Sequence, residues 1–264
     1  MKKQLTLISS FAIVIMLIYS CEKQCDDISG NTPPDVIIVE GRFTDNPEFS
    51  YIKLSKPVSM QGETPSMLSG AEVEVRSNTD TFHFTESYQN KGTYYTSDAG
   101  EAGKGYNLHI RYNNQIFYAH DTMIQLVEGI SLAYVKIQET NMFRLLWLYP
   151  WYTQTEPYQY EINILRPSAD SSRLYFYTLS SVDLSSIFRP AFEQVSFPSG
   201  TIILAKKMSI SPAYERFLRS LLIETQWSGG FFDTQKANPE TNLSTGATGF
   251  FSASCVTTDS ILVK

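Results

Sequence analysis

Apolar and polar residues alternate with a period of two through much of the chain after residue 35. The alternation is clearest at residues 71–76, 106–112 and 158–165. Successive side chains of a β-strand point to opposite faces of the sheet, so this period predicts strands that bury one face and expose the other. A chain dominated by such strands has to fold as a sandwich, a barrel or a related architecture. We therefore expect a mainly β protein.

Residues 36–124 are expected to form the first of two domains. Several short alternating strands follow one another here, with turn signals between them. One signal is the pair Asn113-Asn114, because asparagine tolerates the positive φ that a tight hairpin turn requires. Ile116 and Tyr118 continue the alternation after this turn. Short strands at this spacing predict an immunoglobulin-like β-sandwich.

Residues 125–264 are expected to form a second β-rich domain, which is more aromatic and contains one amphipathic helix at about residues 211–226. Ser211 suits the N-cap of this helix, Pro212 suits its first turn, and Gly229-Gly230 follows its end. The apolar stripe of the helix consists of Tyr214, Phe217, Leu218, Leu221 and Leu222. Such a stripe predicts packing on a sheet, and a helix offered to a partner protein is the alternative.

Residues 142–152 differ from the other predicted strands because both of their faces are mostly apolar. A strand of this kind is covered on both sides or lies at an interface. Its aromatic side chains are the candidate contacts with a partner or ligand, because aromatic residues are enriched at binding surfaces. These candidates are Trp147, Tyr149, Trp151 and Tyr152. Ordinary core packing is the alternative for most of the aromatic residues in this region.

Residues 1–20 have the layout of a lipoprotein signal peptide. Lys2 and Lys3 precede a largely apolar run at residues 5–18, and Ser20 stands directly before Cys21. The run is shorter than the roughly 20 apolar residues that a membrane-spanning helix needs. We expect cleavage before Cys21 and lipidation of this cysteine, whose acyl chains would hold the protein to a membrane. An ordinary signal peptide that is followed by a cysteine is the alternative.

Residues 21–35 are expected to form a flexible tether between the lipid and the first strand. The stretch is polar and ends in Pro33-Pro34, which stiffens it. Acidic residues shortly after Cys21 resemble the signal that exports some Bacteroidetes lipoproteins to the outer face of the outer membrane, and a solvated linker is the alternative. We expect an outer-membrane, lipid-anchored protein, with exposure at the cell surface as the further hypothesis.

Cys25 in the tether and Cys255 near the end of the chain are the candidates for a disulfide, because exported proteins meet oxidising conditions. Two independent free thiols are the alternative. Neither cysteine has a histidine or second cysteine at ligand spacing, so no metal site is expected. Gly103-Lys104-Gly105 lacks the third glycine and the following helix of a phosphate-binding loop. No cofactor is therefore expected.

Charge and motif content argue against nucleic-acid binding and catalysis. The chain has 21 basic and 27 acidic side chains, a formal net charge of −6, and no basic cluster that would attract phosphate. It contains no Gly-x-Ser-x-Gly elbow. His83, His109 and His120 are scattered over predicted strands, with His83 and His109 on polar faces, whereas zinc proteases place two histidines one helical turn apart. We expect neither a nucleic-acid partner nor enzymatic activity.

Seven short segments occur in a characteristic order over nearly the whole chain after Cys21. They are residues 38–41 (Ile-Val-Glu-Gly), 53–55 (Lys-Leu-Ser), 70–75 (Gly-Ala-Glu-Val-Glu-Val), 92–94 (Gly-Thr-Tyr), 105–108 (Gly-Tyr-Asn-Leu), 241–243 (Thr-Asn-Leu) and 246–251 (Gly-Ala-Thr-Gly-Phe-Phe). With the lipobox cysteine, this arrangement resembles the Bacteroidetes lipoprotein family called domain of unknown function 4249. The resemblance implies an accessory role beside a TonB-dependent outer-membrane receptor.

Three classes of function are compatible with these features. The leading expectation is an outer-membrane lipoprotein that acts as a non-catalytic accessory or binding partner of a TonB-dependent receptor in nutrient uptake. The first alternative is a carbohydrate- or peptide-binding lipoprotein that acts alone. The second alternative is an envelope hydrolase whose active site leaves no recognisable motif. Capture of a receptor would separate the first two, and a convergent pocket of His and carboxylate groups would favour the third.

Overall fold

A computed structural model of the chain describes residues 36–58, 62–127, 129–146, 157–178, 195–225 and 239–264, without the side chains of residues 175–178 and 222–225. The first strands are β1 (Ile37–Thr44), β2 (Tyr51–Ser55), β3 (Glu72–Arg76), β4 (Thr81–Glu86), β5 (Thr93–Tyr95), β6 (Gly105–Tyr112), β7 (Gln115–Thr122), β8 (Tyr134–Lys136) and β9 (Met142–Leu145). The remaining elements are β10 (Tyr158–Leu165), β11 (Ser171–Thr178), β12 (Ser196–Pro198), β13 (Ile202–Ser209), helix α1 (Pro212–Thr225), β14 (Ala247–Ser254) and β15 (Val256–Leu262). The fold is mainly β, as the alternation predicts.

The largest element is an eight-stranded sheet with the order β14-β1-β2-β5-β4-β3-β6-β7. Strand β14 pairs with β1 in parallel, and the other neighbours pair in antiparallel fashion. The sheet curls until its two edge strands, β7 and β14, lie side by side. The result is a nearly closed, barrel-like sheet that takes strands from both sides of residue 124, where the boundary between two domains stays a prediction.

The interior of the large sheet is filled by the apolar residues of the alternating strands. Phe43 on β1 packs against Phe82 on β4 and against Tyr106 on β6, with ring centroids 4.9 Å apart in both pairs. Fully buried neighbours include Ile52, Leu54, Val75, Leu108, Ile110, Met123 and Phe251. Burying large apolar side chains contributes about 1.5–3 kcal/mol each, so this cluster is the main source of stability for the sheet.

Two tyrosines on core strands hold loops in place through their hydroxyl groups. The Tyr106 hydroxyl accepts a hydrogen bond from the backbone N–H of Glu101 at 2.6 Å and donates to the Glu101 carbonyl at 3.2 Å. The Tyr94 hydroxyl donates to the Leu68 carbonyl at 3.1 Å and accepts from the Ala71 N–H at 3.0 Å. These bonds satisfy polar groups that burial would otherwise leave unpaired.

The hairpin between β6 and β7 has the predicted turn. Asn113 and Asn114 have φ angles of 48° and 61°, so both central residues lie in the left-handed region. A turn of this kind matches the twist of the flanking strands, and asparagine tolerates the conformation better than most residues. The hairpin prediction is confirmed.

The rest of the described chain forms two small sheets and the helix. The sheets have the orders β11-β10-β13-β15 and β12-β9-β8. They enclose a second apolar cluster that consists of Leu132, Ile162, Ile164, Phe197, Ile203, Ala205 and Val263. Strand β10 has the predicted bounds. Of the predicted strand 142–152, residues 142–145 form a strand, and residues 147–152 lie outside the described residues.

Helix α1 packs on the outer face of β14. The rings of Tyr214 and Phe217 lie 4.9 and 5.0 Å from the ring of Phe250, measured between centroids. Ser211 caps the helix, because its hydroxyl oxygen accepts a hydrogen bond from the Tyr214 N–H at 3.1 Å. The predicted N-cap and the packing of the apolar stripe on a sheet are both confirmed.

Candidate functional site

Most residues that the sequence marks as candidate sites lie outside the described residues. These are Cys21, Cys25, Trp147, Tyr149, Trp151 and Tyr152. Cys255 is described, is only 4% exposed and forms no disulfide within the described part of the chain. Burial, together with the nearby Asp45 carboxylate, raises the pKa of the Cys255 thiol to about 12. The thiol is therefore a poor nucleophile at neutral pH, and its disulfide with Cys25 stays a prediction.

An open groove crosses the outer face of β6 and β7 and is completed by residues 242–244. Its volume is about 410 Å³. The lining residues are Asn107, His109, Tyr118, Ala119, His120, Asn242, Leu243 and Ser244. Three separate parts of the chain thus contribute polar side chains to one depression, and we take it as the candidate functional site.

Strand register brings the groove residues together in two cross-strand pairs. His109 stands opposite Tyr118, and Asn107 stands opposite His120. The rings of His109 and Tyr118 meet edge to face, with centroids 4.9 Å apart. His120 Nδ1 lies 3.0 Å from Asn107 Oδ1, which is hydrogen-bond distance. Burial lowers the pKa of His109, and nearby Arg76 acts in the same direction.

The segment at residues 242–244 lies along the edge of β7 like a short extra strand. The Tyr118 N–H donates to Ser244 Oγ at 3.0 Å, and the Ser244 N–H donates to the Tyr118 carbonyl at 2.8 Å. A bridge between Ala119 and Leu243 continues this pairing. The segment therefore satisfies the backbone of the edge strand and forms one side of the groove.

Asn242 closes the seam between the two edge strands of the large sheet. Its Nδ2 donates to the His120 carbonyl at 2.9 Å and to the Phe251 carbonyl at 2.7 Å. Its Oδ1 accepts from the Phe251 N–H at 3.1 Å. One amide side chain thus bonds to the backbone of both β7 and β14, at a place where the strands themselves form no continuous ladder.

Comparison with protein families identifies the chain. The family described as "Domain of unknown function (DUF4249)" matches residues 24–260. The chain belongs to the DUF4249 family. No curated protein matches it.

The DUF4249 motif near the end of the chain has a structural explanation. Thr241 Oγ1 donates to the Gly249 carbonyl at 2.7 Å, next to the bonds that Asn242 makes with Phe251. Gly249 itself has a φ of 101° and lies against Val39 on β1. Residues 241–251 therefore act together to attach β14 to the large sheet on both of its sides.

Asp121 is a second polar group at the seam between β7 and β14, and it is only 3% exposed. Its Oδ2 accepts a hydrogen bond from the Ala253 N–H at 2.9 Å. Burial raises the pKa of the Asp121 carboxyl to about 6, although hydrogen bonds from the Ser211 hydroxyl and the backbone act in the opposite direction. Because Ser211 caps α1, this carboxyl joins β7, β14 and the start of the helix.

Stability should depend on pH through Asp121. In the unfolded chain its pKa has the ordinary value of about 3.9, so the folded state holds the proton more tightly. The stabilisation is therefore complete below about pH 4 and is lost as the pH rises through about 6, by up to about 3 kcal/mol. Asp121→Asn cannot titrate. We expect the difference in unfolding free energy between wild type and this variant, measured with urea, to fall by that amount from pH 4 to pH 7. A difference that is constant over this range contradicts the prediction.

Another polar cluster lies between the outer face of β1, strand β10 and helix α1. Arg42 Nη2 donates to Gln159 Oε1 at 3.4 Å, and the Tyr214 hydroxyl lies 3.5 Å from the same oxygen. The Tyr51 hydroxyl donates to Glu40 Oε1 at 2.6 Å. Burial raises the pKa of Tyr214, so its phenol stays protonated and able to donate. The cluster fastens α1 and β10 to the large sheet.

A second open depression, of about 560 Å³, lies on the outer face of the small sheet that contains β10. It is lined by Asn163, Leu165, Ser171, Ser172, Arg173 and Leu204. Arg173 Nε donates to Asn163 Oδ1 at 2.8 Å and lies 3.5 Å from Glu161 Oε1. The guanidinium of this depression is thus already bonded to the neighbouring side chains.

The described residues contain neither a cluster of metal ligands nor a membrane-spanning helix. No group of three or more His, Cys, Asp or Glu side chains in them is placed to share a metal ion. In the same residues, no helix combines the length and the apolar character that crossing a bilayer demands.

The sequence pattern identifies part of the groove and misses the rest. Alternation correctly places His109 on the polar face of β6. On β7 the prediction continues the apolar face with Ile116 and Tyr118, and this register is wrong; residues 116–119 (Ile-Phe-Tyr-Ala) are all apolar or aromatic, so the period cannot choose between the two faces. The structure buries Phe117 and Ala119, so Ile116 and Tyr118 face outward. Asn242 carries no local signal beyond its place in a family motif, because its partners lie on distant strands.

Proposed function

We propose that the protein is an outer-membrane lipoprotein, anchored through lipid on Cys21, that serves as a non-catalytic partner of a TonB-dependent receptor in nutrient uptake. The observation that carries the proposal is the order of segments along the chain. A signal-like run ends at Cys21, a polar tether follows, and the described fold begins directly after it with β1. Such a layout suits a β scaffold held at a short distance from a membrane.

Membership of the DUF4249 family supports the receptor part of the proposal, because the resemblance to this family implies an accessory role at such a receptor. The fold is also suited to binding. Rigid strands of the large sheet present the groove residues on its outer face, and sites built on rigid elements lose little entropy when a ligand binds.

We also propose that the large sheet is an immunoglobulin-like sandwich whose two layers are joined through β4. In such folds strands A, B, E and D form one layer and strands C, F and G the other. The order β1-β2-β5-β4 followed by β3-β6-β7 corresponds to these two layers. The bonds from the Tyr106 hydroxyl to the backbone of Glu101, five residues earlier, resemble the tyrosine corner at the start of strand F.

Replacing Cys21 with alanine tests the anchor and the partnership together. We expect the wild-type protein, expressed in its native host, to incorporate labelled palmitate and to fractionate with the outer membrane. After solubilisation in mild detergent, a tag on its C-terminus should bring down a TonB-dependent receptor, identified by mass spectrometry. Cys21→Ala should incorporate no label and should bring down no receptor, because it never reaches the receptor's membrane.

Cys25→Ala is the matched control, because it removes the neighbouring cysteine of the tether and leaves the lipidated one. It should keep the label, the membrane fraction and the receptor. A Cys21→Ala protein that still incorporates palmitate would overturn the anchor. If wild-type protein is labelled but brings down no receptor, the anchor stands and the partnership fails. Protease treatment of intact cells then tests surface exposure, since full protection of the protein rules it out.

A further inference from the structure

The groove on β6 and β7 contains polar groups that are available to a ligand. In the part of the chain that the structure describes, neither the imidazole of His109 nor the hydroxyl of Tyr118 forms a hydrogen bond, although the two rings touch. The Nδ2 of Asn107 and the Nε2 of His120 also have no hydrogen-bond partner among these residues, since the bond between the two side chains uses Oδ1 and Nδ1. Donors and acceptors from both strands therefore point into one depression.

Among the residues that the structure describes, none with a formally charged side chain lines the groove. The eight lining residues include no Lys, Arg, Asp or Glu. On the neighbouring strand β3, Glu74 and Arg76 stand opposite His109 and Asn107 and form an ion pair with each other. Because His109 has a lowered pKa, its imidazole is neutral at neutral pH and offers one donor and one acceptor. A groove of this composition favours an uncharged, polar ligand over an anion or a cation.

The edge of β7 argues against a peptide that binds by adding a strand. Such a peptide needs free N–H and C=O groups along a sheet edge. At the groove, both the N–H and the C=O of Tyr118 are bonded to Ser244, and the bridge between Ala119 and Leu243 occupies the next position. The backbone here is already paired, so recognition has to come from side chains.

Tyr118 supplies the surface on which a ligand could stack. Its side chain is 46% exposed and is held from one side by the edge-to-face contact with His109. An aromatic ring of this kind combines an apolar face with a polar hydroxyl, which matches a sugar ring that has an apolar C–H face and a rim of hydroxyl groups. A volume of about 410 Å³ is also in the range of small-ligand sites.

We propose that this groove binds a neutral saccharide, with Tyr118 as the stacking platform and Asn107, His109 and His120 as its hydrogen-bond partners. The ligand class extends the proposed role in nutrient capture and rests on it for biological meaning. Binding itself needs neither the lipid nor the receptor. If no saccharide binds, the lipid anchor and the receptor partnership are therefore unaffected. If the anchor or the partnership fails, the saccharide site is likewise unaffected.

Isothermal titration calorimetry on the full-length lipoprotein in mild detergent tests the site. The neutral probes are maltohexaose, cellohexaose, xylohexaose and mannohexaose, and the comparison probes are an anionic oligogalacturonate and an uncharged peptide of similar length. We expect at least one neutral saccharide to bind. Tyr118→Ala should then weaken the affinity about tenfold or more, as loss of a stacking residue does. His109→Ala should weaken it as well, and Tyr118→Phe, which keeps the ring, should weaken it less.

Tyr95→Ala is the control, because Tyr95 is 43% exposed on β5, away from the groove. It should leave the affinity unchanged, and circular dichroism should show that every variant is folded. Three results would overturn the proposal: none of the neutral saccharides binds, a saccharide binds equally well to folded Tyr118→Ala, or only the anionic oligomer or the peptide binds.

Discussion

Replacing Gly249 with alanine is expected to lower the free energy of unfolding by about 2–5 kcal/mol. Gly249 has a φ of 101°, which an L-residue adopts only under strain, and this strain costs about 1–2 kcal/mol. A Cβ at this position would lie 2.1 Å from the Val39 carbonyl oxygen and 3.0 Å from its carbonyl carbon. Both atoms belong to backbone, so no side chain can move away, and overpacking adds about 1–3 kcal/mol.

The place of Gly249 in the sheet makes this clash consequential. Gly249 stands opposite Val39 in the parallel pair of β1 and β14. Moving the strands apart there would disturb the pairs on either side and the position of Phe251, which is fully buried in the core. Small domains are stable by only about 5–15 kcal/mol, so the variant should lose a large share of its stability.

Gly103→Ala is the matched control for Gly249→Ala. Gly103 also has a positive φ, 81°, but a Cβ there meets no atom within 4 Å. It should therefore show the conformational strain alone, about 1–2 kcal/mol. Urea unfolding followed by circular dichroism measures both variants. If the two lose equal stability, the clash with Val39 contributes nothing and the explanation of the glycine in this motif is wrong.

The strands that sequence predicts well are those with a clear period of two. Residues 106–112 and 158–165 alternate without a break, and the structure has strands Gly105–Tyr112 and Tyr158–Leu165 there. The helix is likewise recognisable, because Ser211, Pro212 and the apolar stripe are local signals. Such features follow from contacts within a few residues, and a single sequence contains all the information about them.

The features that sequence does not reveal depend on distant contacts or on very short segments. Strand β14 pairs in parallel with β1, about two hundred residues earlier, and no periodicity records that partner. Strands β5, β8 and β12 have three residues each, which is too short for a period to be visible. The groove is missed for the same reason, because residues 242–244 reach it from the far end of the chain.

Replacing Asn242 with alanine is expected to destabilise the protein by about 3 kcal/mol. The change removes the three hydrogen bonds that Asn242 makes to the backbone of His120 and Phe251. Each lost bond costs about 0.5–1.5 kcal/mol, and more where the remaining partner is buried without water. The seam between β7 and β14 should open locally, which hydrogen exchange of the Phe251 amide would detect as reduced protection.

Two further variants decide whether hydrogen bonding or mere packing explains the effect. Asn242→Asp keeps the size of the side chain and the acceptor for the Phe251 N–H, but it turns an oxygen toward the carbonyls of His120 and Phe251. At neutral pH it should be at least as unstable as Asn242→Ala, since two donated bonds are replaced by repulsion. Asn90→Ala, in an exposed turn, is the control and should change stability by less than about 0.5 kcal/mol. An Asn242→Asp protein as stable as wild type would show that the amide does not hold the seam.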